Sequence, residues 1–419
     1  MDHFNYRAGS LHAEDVPLSR IAEAVGTPVY VYSRATLERH ARVFQDAVRV
    51  AGRTDVAFAV KANPNLAVLR VLARAGMGAD VVSGGELERA LAAGMAPHRI
   101  VFSGVGKTAA ELAQGLDRAI GQFNIESQEE GIEFSAIAAA RGVAAPCVLR
   151  VNPDVDAGTH AKISTGKAEN KFGVAIGDAP AIYARLSRLP GLLMRGVALH
   201  IGSALPTIAP LEDAFVRMGR LVGELRAAGH AITHVDLGGG LGVAYRPSDV
   251  MPTPEEYGQM VARVTKNWDV TLMFEPGRVI VGNAGVLLTT VIRVKPGVTH
   301  PFVIVDAAMN DLARPALYDA YHHFAPVDEA HKAWTANIVG PVCESGDTFA
   351  MARHCGEVGP GDLAVFRTAG AYGATMASTY NSRPLVPEVL VDGDRFAVVA
   401  DRISAAAMMA AERVPDWLD

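Results

Sequence analysis

Short apolar runs alternate with amphipathic segments along the chain between residues 56 and 280. Each run has the length of a buried β-strand, and the segments between them have the spacing of amphipathic helices. Because a crossover helix returns the chain to the same end of a sheet, this alternation predicts parallel strands. Eight such units close a (β/α)8 barrel, and an open doubly wound sheet is the alternative. The runs are VAFAV (56–60), ADVVS (79–83), IVFSG (100–104), FNIE (123–126), CVLRV (147–151), VALHIG (197–202), HVDLGGG (234–240) and LMFEPG (272–277).

After residue 280 the pattern changes to strand-like runs with few helical segments between them, such as VLLTTVIRVK, FVIVDAAM and VLVDGDRFAVVAD. The Asp392-Gly393 pair in the last of these predicts a tight hairpin turn. We therefore expect an α/β plus all-β chain, with a TIM-like barrel over residues 31–280 and a mostly antiparallel β domain, a β-barrel or sandwich, over residues 281–419. Residues 1–30 are expected to join the β domain.

Composition and charge argue against nucleic-acid-binding, membrane-spanning and secreted proteins. The formal net charge of −6 gives no electrostatic reason to expect a nucleic-acid or membrane partner. No apolar run approaches the roughly 20 residues that span a bilayer, and the opening MDHFNYRAGSLHAEDVPL lacks the apolar core of a secretory signal. The scattered cysteines Cys147, Cys343 and Cys355 fit a reducing cytoplasm, with Cys147 a buried hydrophobe. His322 and His323 lack metal-ligand spacing, so no metal site is predicted.

Candidate chemistry collects at the carboxyl ends of the predicted strands, where barrels place their active sites. An amine, an imidazole, a carboxylate and a run of glycines all fall there. The residues at these ends are Lys61, Asp80 with Ser83, Arg150 with Asn152, His200 with Ser203, Gly238, Gly239 and Gly240, and Glu275 with Pro276, Gly277 and Arg278.

Each of these residues also has a structural interpretation. Lys61 could be a solvated stem that leaves the core, the glycines a tight turn, Glu275 a partner of Arg278, and His200 a satisfied core residue. Together, however, they match the needs of pyridoxal 5'-phosphate: a lysine for a Schiff base, a phosphate cradle, a partner for the pyridine nitrogen and support for the ring face.

The motifs that carry these residues resemble those of the fold-type III pyridoxal-phosphate decarboxylases, which include ornithine and arginine decarboxylases, and most specifically the branch that acts on diaminopimelate. The resemblance covers nearly the whole chain, and its strength lies in the order of the motifs. They are AVKAN, GADVVSGGEL, NPDVDAGTHAKISTGKAENKFG, LHIGS, LGGGLG, EPGR, MNDLARPALYDAYH, GPVCESGDTF and GAYG.

The resemblance implies a role for each matching residue on the cofactor side. Lys61 would form the Schiff base, His200 would stack on the cofactor ring, and Glu275 would bind the pyridine nitrogen. The remaining cofactor-binding positions are Asp80, Ser203, Gly238, Gly239, Gly240, Pro276, Gly277, Arg278 and Tyr372. One departure is Ala204, which follows the HIGS motif where the family usually has glutamine and leaves the local loop geometry open.

On the substrate side, the resemblance implies that Arg278, Arg314 and Tyr318 grip the distal end of the substrate. From its own motif alone, the favoured interpretation of Arg314 is a solvated helix face on which it pairs with Asp311. The positions that complete the site are Tyr372, Cys343 and Glu344, the last two from the other subunit of a homodimer, with Cys343 or Lys61 as the proton donor.

The expected function is therefore decarboxylation of meso-2,6-diaminopimelate to L-lysine and CO2, the last step of lysine biosynthesis. One alternative is a decarboxylase of ornithine, lysine or a carboxylated polyamine precursor on the same scaffold. An alternative of another class is a catalytically silent regulatory protein that keeps the fold. The polar stretch ISTGKAENKFG (163–173) is expected to form a surface loop near the barrel rim.

Overall fold

The computed structural model describes residues 2–156 and 170–418, so most of the predicted loop at 163–173 lies outside the described residues. The chain divides into two compact units. One, here called the β unit, contains Met1–Leu37, Tyr245–Ser248 and Val281–Asp419. The other, the barrel unit, contains Glu38–Ala244 and Asp249–Ile280.

The N-terminal residues contribute strands to the β unit. Three short antiparallel strands and one helix precede a fourth, fully buried strand, and a long helix follows it. These elements are β1 (Phe4–Arg7), β2 (Ser10–Ala13), β3 (Val16–Pro17), α1 (Leu18–Val25), β4 (Val29–Ser33) and α2 (Arg34–Arg49).

Eight parallel strands close into a barrel in the barrel unit, which confirms the predicted fold class and all eight predicted runs. Closure is made by the pairing of Phe123 with Cys147 and of Ile125 with Leu149. The barrel strands are β5 (Thr54–Ala59), β6 (Gly78–Val81), β7 (Ile100–Phe102), β8 (Gln122–Ile125), β9 (Ala145–Asn152), β11 (Leu192–Ala198), β12 (His234–Asp236) and β13 (Thr271–Phe274); a short strand, β10 (Val174–Ala175), pairs with β9 outside the ring.

Helices connect the barrel strands, and polar residues at the ends of the βα loops begin several of them. Asn65, Ser83, Thr108, Ser127 and Thr253 each accept a backbone N–H of the helix that follows, which satisfies a donor that the first turn leaves unpaired. The helices are α3 (Leu66–Arg74), α4 (Gly84–Ala92), α5 (Ala109–Asp117), α6 (Gln128–Ala140), α7 (Ala179–Leu186), α8 (Ala209–Ala227), α9 (Pro254–Thr265) and α10 (Arg278–Val281).

The β unit is a mixed sheet in which most neighbouring strands are antiparallel, as predicted. Strand β4 lies inside the sheet between β14, to which it is antiparallel, and β20, to which it is parallel. The predicted turn at Asp392-Gly393 joins the last two strands as a tight hairpin. The elements are β14 (Gly285–Lys295), β15 (Phe302–Val305), α11 (Arg314–Tyr318), β16 (Phe324–Pro326), β17 (Ala333–Val339), β18 (Thr348–Gly356), β19 (Leu363–Phe366), β20 (Glu388–Asp392), β21 (Arg395–Ala400) and α12 (Ala405–Met409).

The core of the β unit follows from the alternation of side chains along its strands. Alternate residues of the three central strands point to one face and are buried together, because side chains two apart in a strand share a face. They are Val29 and Val31 of β4, Val286 and Leu288 of β14, and Val389 and Val391 of β20. Within the described residues, no helix has the length and apolar character needed to cross a membrane.

Candidate active site

The carboxyl ends of the barrel strands carry the predicted cofactor-side residues. Lys61 lies in a single helical turn, Val60–Ala62, directly after β5, and Asp80 lies in β6. Glu275 follows the last residue of β13. The barrel unit also holds His200, Ser203, Gly238, Gly239, Gly240, Pro276, Gly277 and Arg278.

Lys61 is paired with a buried carboxylate. Its Nζ lies 2.9 Å from Asp80 Oδ2, and the Asp80 side chain is fully buried whereas 37% of the Lys61 side chain is exposed. The second carboxylate oxygen, Asp80 Oδ1, is also buried and has no hydrogen-bond partner among the described residues. A buried acceptor without a donor is costly, so this oxygen marks a place where a polar group of a ligand would be stabilised.

Two buried carboxyls, those of Asp236 and Glu275, lie at the ends of β12 and β13. Glu275 Oε1 accepts hydrogen bonds from Ser103 Oγ and Asn124 Nδ2, both at 3.3 Å. Asp236 Oδ2 accepts from Asn124 Nδ2 at 3.4 Å and from Gln122 Nε2 at 3.0 Å. One amide, that of Asn124, therefore bridges the two carboxyls, and the network fixes both of them.

The pKa values of Glu275 and Asp236 are both raised. Burial raises the pKa of Glu275 well above its usual range; the carboxylates of Asp236 and Asp80 add to this rise, and Lys61 opposes it. Burial also raises the pKa of Asp236. The hydrogen bond between the two groups raises the pKa of Glu275 and lowers that of Asp236, so Glu275 carries the proton and Asp236 accepts it.

His200 lies on the same rim as a neutral imidazole. Burial lowers its pKa well below the usual value, and the cations Arg150 and Lys61 add to the fall. His200 Nδ1 lies 3.2 Å from the backbone N of Gly239, which can only donate, so the proton of the neutral ring is on Nε2. A neutral, flat ring held in one tautomer is suited to stacking against a heterocycle.

The glycine run after β12 leaves no room for side chains. A Cβ at Gly238 would lie 2.4 Å from the carbonyl oxygen of Leu199, and one at Gly239 would lie 2.4 Å from that of Glu275. Gly238 and Gly240 also have φ angles of +65° and +121°, which side chains of L-residues disfavour. These positions therefore require glycine. The N–H of Gly238 donates to Asp236 Oδ1 at 2.9 Å and that of Gly239 to His200 Nδ1, so an anion bound at this loop would be held by the N–H of Gly240 and by neighbouring side chains.

Ser203 and Arg278 meet beside this loop. Arg278 Nη2 donates a hydrogen bond to Ser203 Oγ at 3.2 Å. The next residue, Ala204, has a left-handed backbone with φ of 60°, and Leu205 N donates to Gly240 O at 2.9 Å. The segment that carries the departure at Ala204 is thus tied to the glycine loop through the backbone, without a long side chain.

These groups fit pyridoxal 5'-phosphate. The barrel rim offers an amine for its aldehyde at Lys61, a buried acid for the ring nitrogen at Glu275, a neutral ring at His200 and a glycine cradle with Ser203 and Arg278 for the phosphate. The orphaned oxygen of Asp80 is an independent sign that this rim is shaped for a polar ligand.

The β unit holds the remaining predicted residues. Arg314 and Tyr318 are the first and last residues of α11. Arg314 is only 7% exposed, so the interpretation as a solvated helix face is wrong. Its Nη1 lies 2.8 Å from His322 Nε2, and its guanidinium carbon lies 4.7 Å from the ring centre of Tyr245. Asp311, the partner expected in that interpretation, pairs instead with Arg383 at 3.5 Å.

Cys343 and Glu344 lie together on an exposed loop between β17 and β18. Asp347 ties down the base of this loop, because its two carboxylate oxygens accept the backbone N–H groups of Met309 and Val342, both at 2.7 Å. Tyr372 lies after β19 with a left-handed backbone, φ 56°, a conformation that costs energy for a side chain of this size.

Sequence reasoning missed several residues of the site. Ser103, Gln122, Asn124 and Asp236 build the network around Glu275, and each is a polar residue in or directly after an otherwise apolar strand, a signal that could have identified them. Glu86 was missed as well. Burial raises its pKa to about 7, and the carboxylate of Asp80 adds to the rise.

A family model matches the barrel region of the chain. The model describes the pyridoxal binding domain of pyridoxal-dependent decarboxylases and matches residues 34–282. This range contains the cofactor-side residues of the barrel unit, whereas Tyr372 lies outside it.

Relatives match over nearly the full length. The diaminopimelate decarboxylase of Zymomonas mobilis is 52% identical to this chain, and the match covers 99% of both proteins. The crystal structure of the diaminopimelate decarboxylase from M. jannaschii in complex with L-lysine has a TM-score of 0.96 at 34% identity, covering 100% of this chain and 99% of that one. The Helicobacter pylori enzyme, also in complex with L-lysine, has a TM-score of 0.90 at 37% identity, covering 94% and 98%.

Proposed function

Because the chain belongs to the diaminopimelate decarboxylase family of pyridoxal-dependent decarboxylases, we propose that it removes one carboxylate of meso-2,6-diaminopimelate. The products are L-lysine and CO2, and the reaction is the last step of lysine biosynthesis. The observation that carries this proposal is the set of groups at the barrel rim, where Lys61 with Asp80 and Glu275 with Asp236 meet beside a glycine cradle.

Lys61 would hold the cofactor through its amine, and Asp80 keeps that amine in place with an ion pair at 2.9 Å. Ser203, Arg278, the glycine run and Gly277 would hold the phosphate. When bound, pyridoxal phosphate supplies an electron-withdrawing ring that accepts the charge left by the departing carboxylate.

Glu275 supplies the proton that makes such a ring effective. Its raised pKa and its hydrogen bond to Asp236 favour a proton on the carboxyl, where it would be available to the ring nitrogen. Asp236 then remains as the anion behind Glu275, and Asn124 holds both groups in place. The ring of His200 is flat and neutral, so it can support the face of the cofactor ring without adding a competing charge.

We assign recognition of the distal end of the substrate to two arginines. meso-Diaminopimelate carries a second α-amino acid group away from the reacting carbon, and guanidinium groups bind a carboxylate through charge-assisted hydrogen bonds. We assign this carboxylate to Arg278 and Arg314, with Tyr318 and Tyr372 as further contacts. The relatives crystallised with L-lysine fit the proposed product, since lysine keeps the distal carboxylate.

A homodimer would complete the site. Cys343 and Glu344 are exposed in the single chain and lie on a loop that Asp347 holds in shape, as expected of groups presented to a second copy. In the proposal, Glu344 of one subunit takes the distal ammonium group bound by the other. Cys343 or Lys61 then returns a proton to the reacting carbon. The free cysteines fit the cytoplasm as the place of this activity.

Two measurements test the proposal. Reduction of the holoenzyme with borohydride, followed by peptide mass spectrometry, should place the cofactor on Lys61 in the wild type and on no residue in K61A. Release of CO2 should be faster from meso-diaminopimelate than from L-ornithine or L-lysine. A preference for ornithine or lysine would reject the substrate, and the absence of any label on Lys61 or of any CO2 release would reject the activity.

A further inference from the structure

Six side chains of the β unit form a cluster of cations and aromatic rings, here called the arginine–aromatic cluster. The guanidinium carbon of Arg353 lies 3.9 Å from the ring centre of Tyr321, and that of Arg246 lies 4.4 Å from the same centre. The other members are Arg314, Tyr245 and His322. Arg314 is the member to which the proposed function assigns a carboxylate of the substrate.

His322 contacts Arg314 as a hydrogen-bond acceptor. A guanidinium only donates hydrogen bonds, so His322 Nε2, 2.8 Å from Arg314 Nη1, must carry the lone pair. His322 Nδ1 lies 3.0 Å from the carbonyl oxygen of Arg367, which only accepts, so Nδ1 carries the proton. The two contacts together fix one neutral tautomer, and the imidazole is 2% exposed.

Tyr245 holds the other side of the guanidinium. The guanidinium carbon of Arg314 lies over the Tyr245 ring, 4.7 Å from the ring centre. The same ring meets His322 edge to face, with ring centres 5.4 Å apart and planes at 85°. The guanidinium of Arg314 is therefore held both by a hydrogen bond to His322 and by a cation–π contact with Tyr245, which restricts its movement.

Arg353 fixes the backbone of His322. Its Nη1 donates a hydrogen bond to the carbonyl oxygen of His322 at 2.7 Å, and the stacking on Tyr321 holds Arg353 itself. His322 is thus anchored at its main chain by Arg353 and at its ring by Arg367. Neither His322 nor Tyr245 carries a negative charge, so they orient the charge of Arg314 without neutralising it.

We propose that His322 is a positioning residue for substrate recognition: with Tyr245 it fixes the guanidinium of Arg314 in the orientation that binds the distal carboxylate. This inference rests on the proposed function, which assigns that carboxylate to Arg314. It predicts that His322 contributes to the preference for a ligand with an α-carboxylate over the corresponding diamine. It assigns no role in bond cleavage to His322.

Two amide substitutions separate the contacts of His322. In H322N the side-chain amide nitrogen takes the position of Nδ1 and keeps a donor for Arg367, but the contact to Arg314 is lost. In H322Q the side-chain oxygen takes the position of Nε2 and keeps an acceptor for Arg314. If the contact to Arg314 is what matters, H322Q should retain function better than H322N.

The test is isothermal titration calorimetry of the holoenzymes with L-lysine and with cadaverine, which is lysine without its carboxylate. H322N should weaken L-lysine binding by about 10-fold or more, as expected for a lost hydrogen bond to a charged group, and leave cadaverine binding unchanged. H322Q should stay close to the wild type for both ligands. In kinetics, KM for meso-diaminopimelate should rise in H322N with little change in kcat.

A second variant keeps the test usable if H322N fails to fold. Y245L removes the ring from the guanidinium face and should weaken L-lysine binding by about 2- to 5-fold, again without an effect on cadaverine. Equal weakening of both ligands, or an unchanged preference for L-lysine in H322N and Y245L, would overturn the positioning role. If the wild type itself shows no preference for L-lysine over cadaverine, the assignment of the distal carboxylate in the proposed function fails.

Discussion

The barrel rim and the arginine–aromatic cluster handle charge in opposite ways. At the rim, ionisable groups lie against one another: Lys61 against Asp80, and Glu275 against Asp236. In the cluster, cations lie against neutral rings, as Arg314 does against Tyr245 and His322. The rim is therefore a place where protons can be held and moved, whereas the cluster is a place where charge is held constant.

This difference corresponds to two tasks. Burial and neighbouring charges set the protonation of carboxyl and imidazole groups, because they raise the pKa of Glu275 and lower that of His200. Arginine remains protonated, so a cluster of guanidiniums gives the same field at any pH at which the protein is folded. A site that breaks a bond needs the first kind of group, and a site that selects a carboxylate needs the second.

The largest effect is expected from removing the proton at Glu275. In E275Q, kcat for meso-diaminopimelate should fall by about 10²-fold or more, because an amide cannot supply a proton to the ring nitrogen. Binding of L-lysine should change little, since the cluster is intact. Steady-state kinetics and calorimetry of the same preparation measure both.

E130Q is the matched control: Glu130 is also a mostly buried carboxylate of the barrel unit, but it pairs with Lys107 at 2.8 Å and should affect stability rather than kcat. A normal kcat in E275Q would contradict the assignment.

A smaller, different effect is expected from changing the cation in the cluster. In R314K, KM for meso-diaminopimelate should rise by roughly 10- to 150-fold, corresponding to about 1.5–3 kcal/mol for a lost charge-assisted hydrogen bond, while kcat changes less. The charge is kept, so the effect reports the planar geometry of the guanidinium. The exposed Arg395 offers the control R395K, which should behave as wild type. If R314K lowers kcat and leaves KM unchanged, Arg314 belongs to the chemistry and the comparison between the two regions breaks down.

The glycine loop should show a moderate effect on stability and cofactor binding. In G239A the new Cβ would lie 2.4 Å from the carbonyl oxygen of Glu275, and the required shift should cost about 1–3 kcal/mol of stability and weaken binding of pyridoxal phosphate. Gly223, exposed in α8 with open space around it, provides the control G223A, which should be stabilised by about 0.5–1 kcal/mol. Urea unfolding and titration of the cofactor-free protein measure both quantities. Cofactor binding of G239A at the wild-type level would argue against the loop as the phosphate cradle.

The smallest effect is a pH dependence of the free energy of unfolding, which we expect from the barrel rim and not from the arginine–aromatic cluster. Burial raises the pKa of Glu86 to about 7, so between its ordinary value and pH 7 the folded protein binds more protons at this group than the unfolded chain. The contribution of Glu86 to the free energy of unfolding therefore decreases as pH rises through this window. Relative to wild type, E86Q should gain about 1–2 kcal/mol between pH 5 and pH 8. Urea unfolding at both values tests this, and a difference that does not vary with pH would refute it.

The sequence was sufficient to predict the barrel because each strand is a local signal. A run such as VAFAV is apolar over its whole length and ends at a polar residue, Lys61, so both the strand and its functional end are visible. The order of strands in the β unit is different. Strand β4 pairs with β14 and β20, which lie more than 250 and 350 residues further along the chain, and no local pattern encodes such pairing.

The same distinction applies to the site. Lys61, His200, Glu275 and the glycines are visible at strand ends, although their roles came from the resemblance. The role of His322 is not visible in the sequence, because its contact with Arg314 spans eight residues and has no helical or strand periodicity. The carboxyl of Asp236 gains its meaning only from the closure of the barrel, which brings it to Asn124 and Glu275.

The three thiols of the chain differ in their accessibility, and this has a practical consequence. Cys147 is fully buried in β9 and Cys355 is 7% exposed, and burial raises the pKa of both, so neither should react with an alkylating reagent in the folded protein. Cys343 is exposed. A maleimide dye or spin label should therefore attach at one position of the unmodified chain, on the loop that the proposed dimer would present to its second copy.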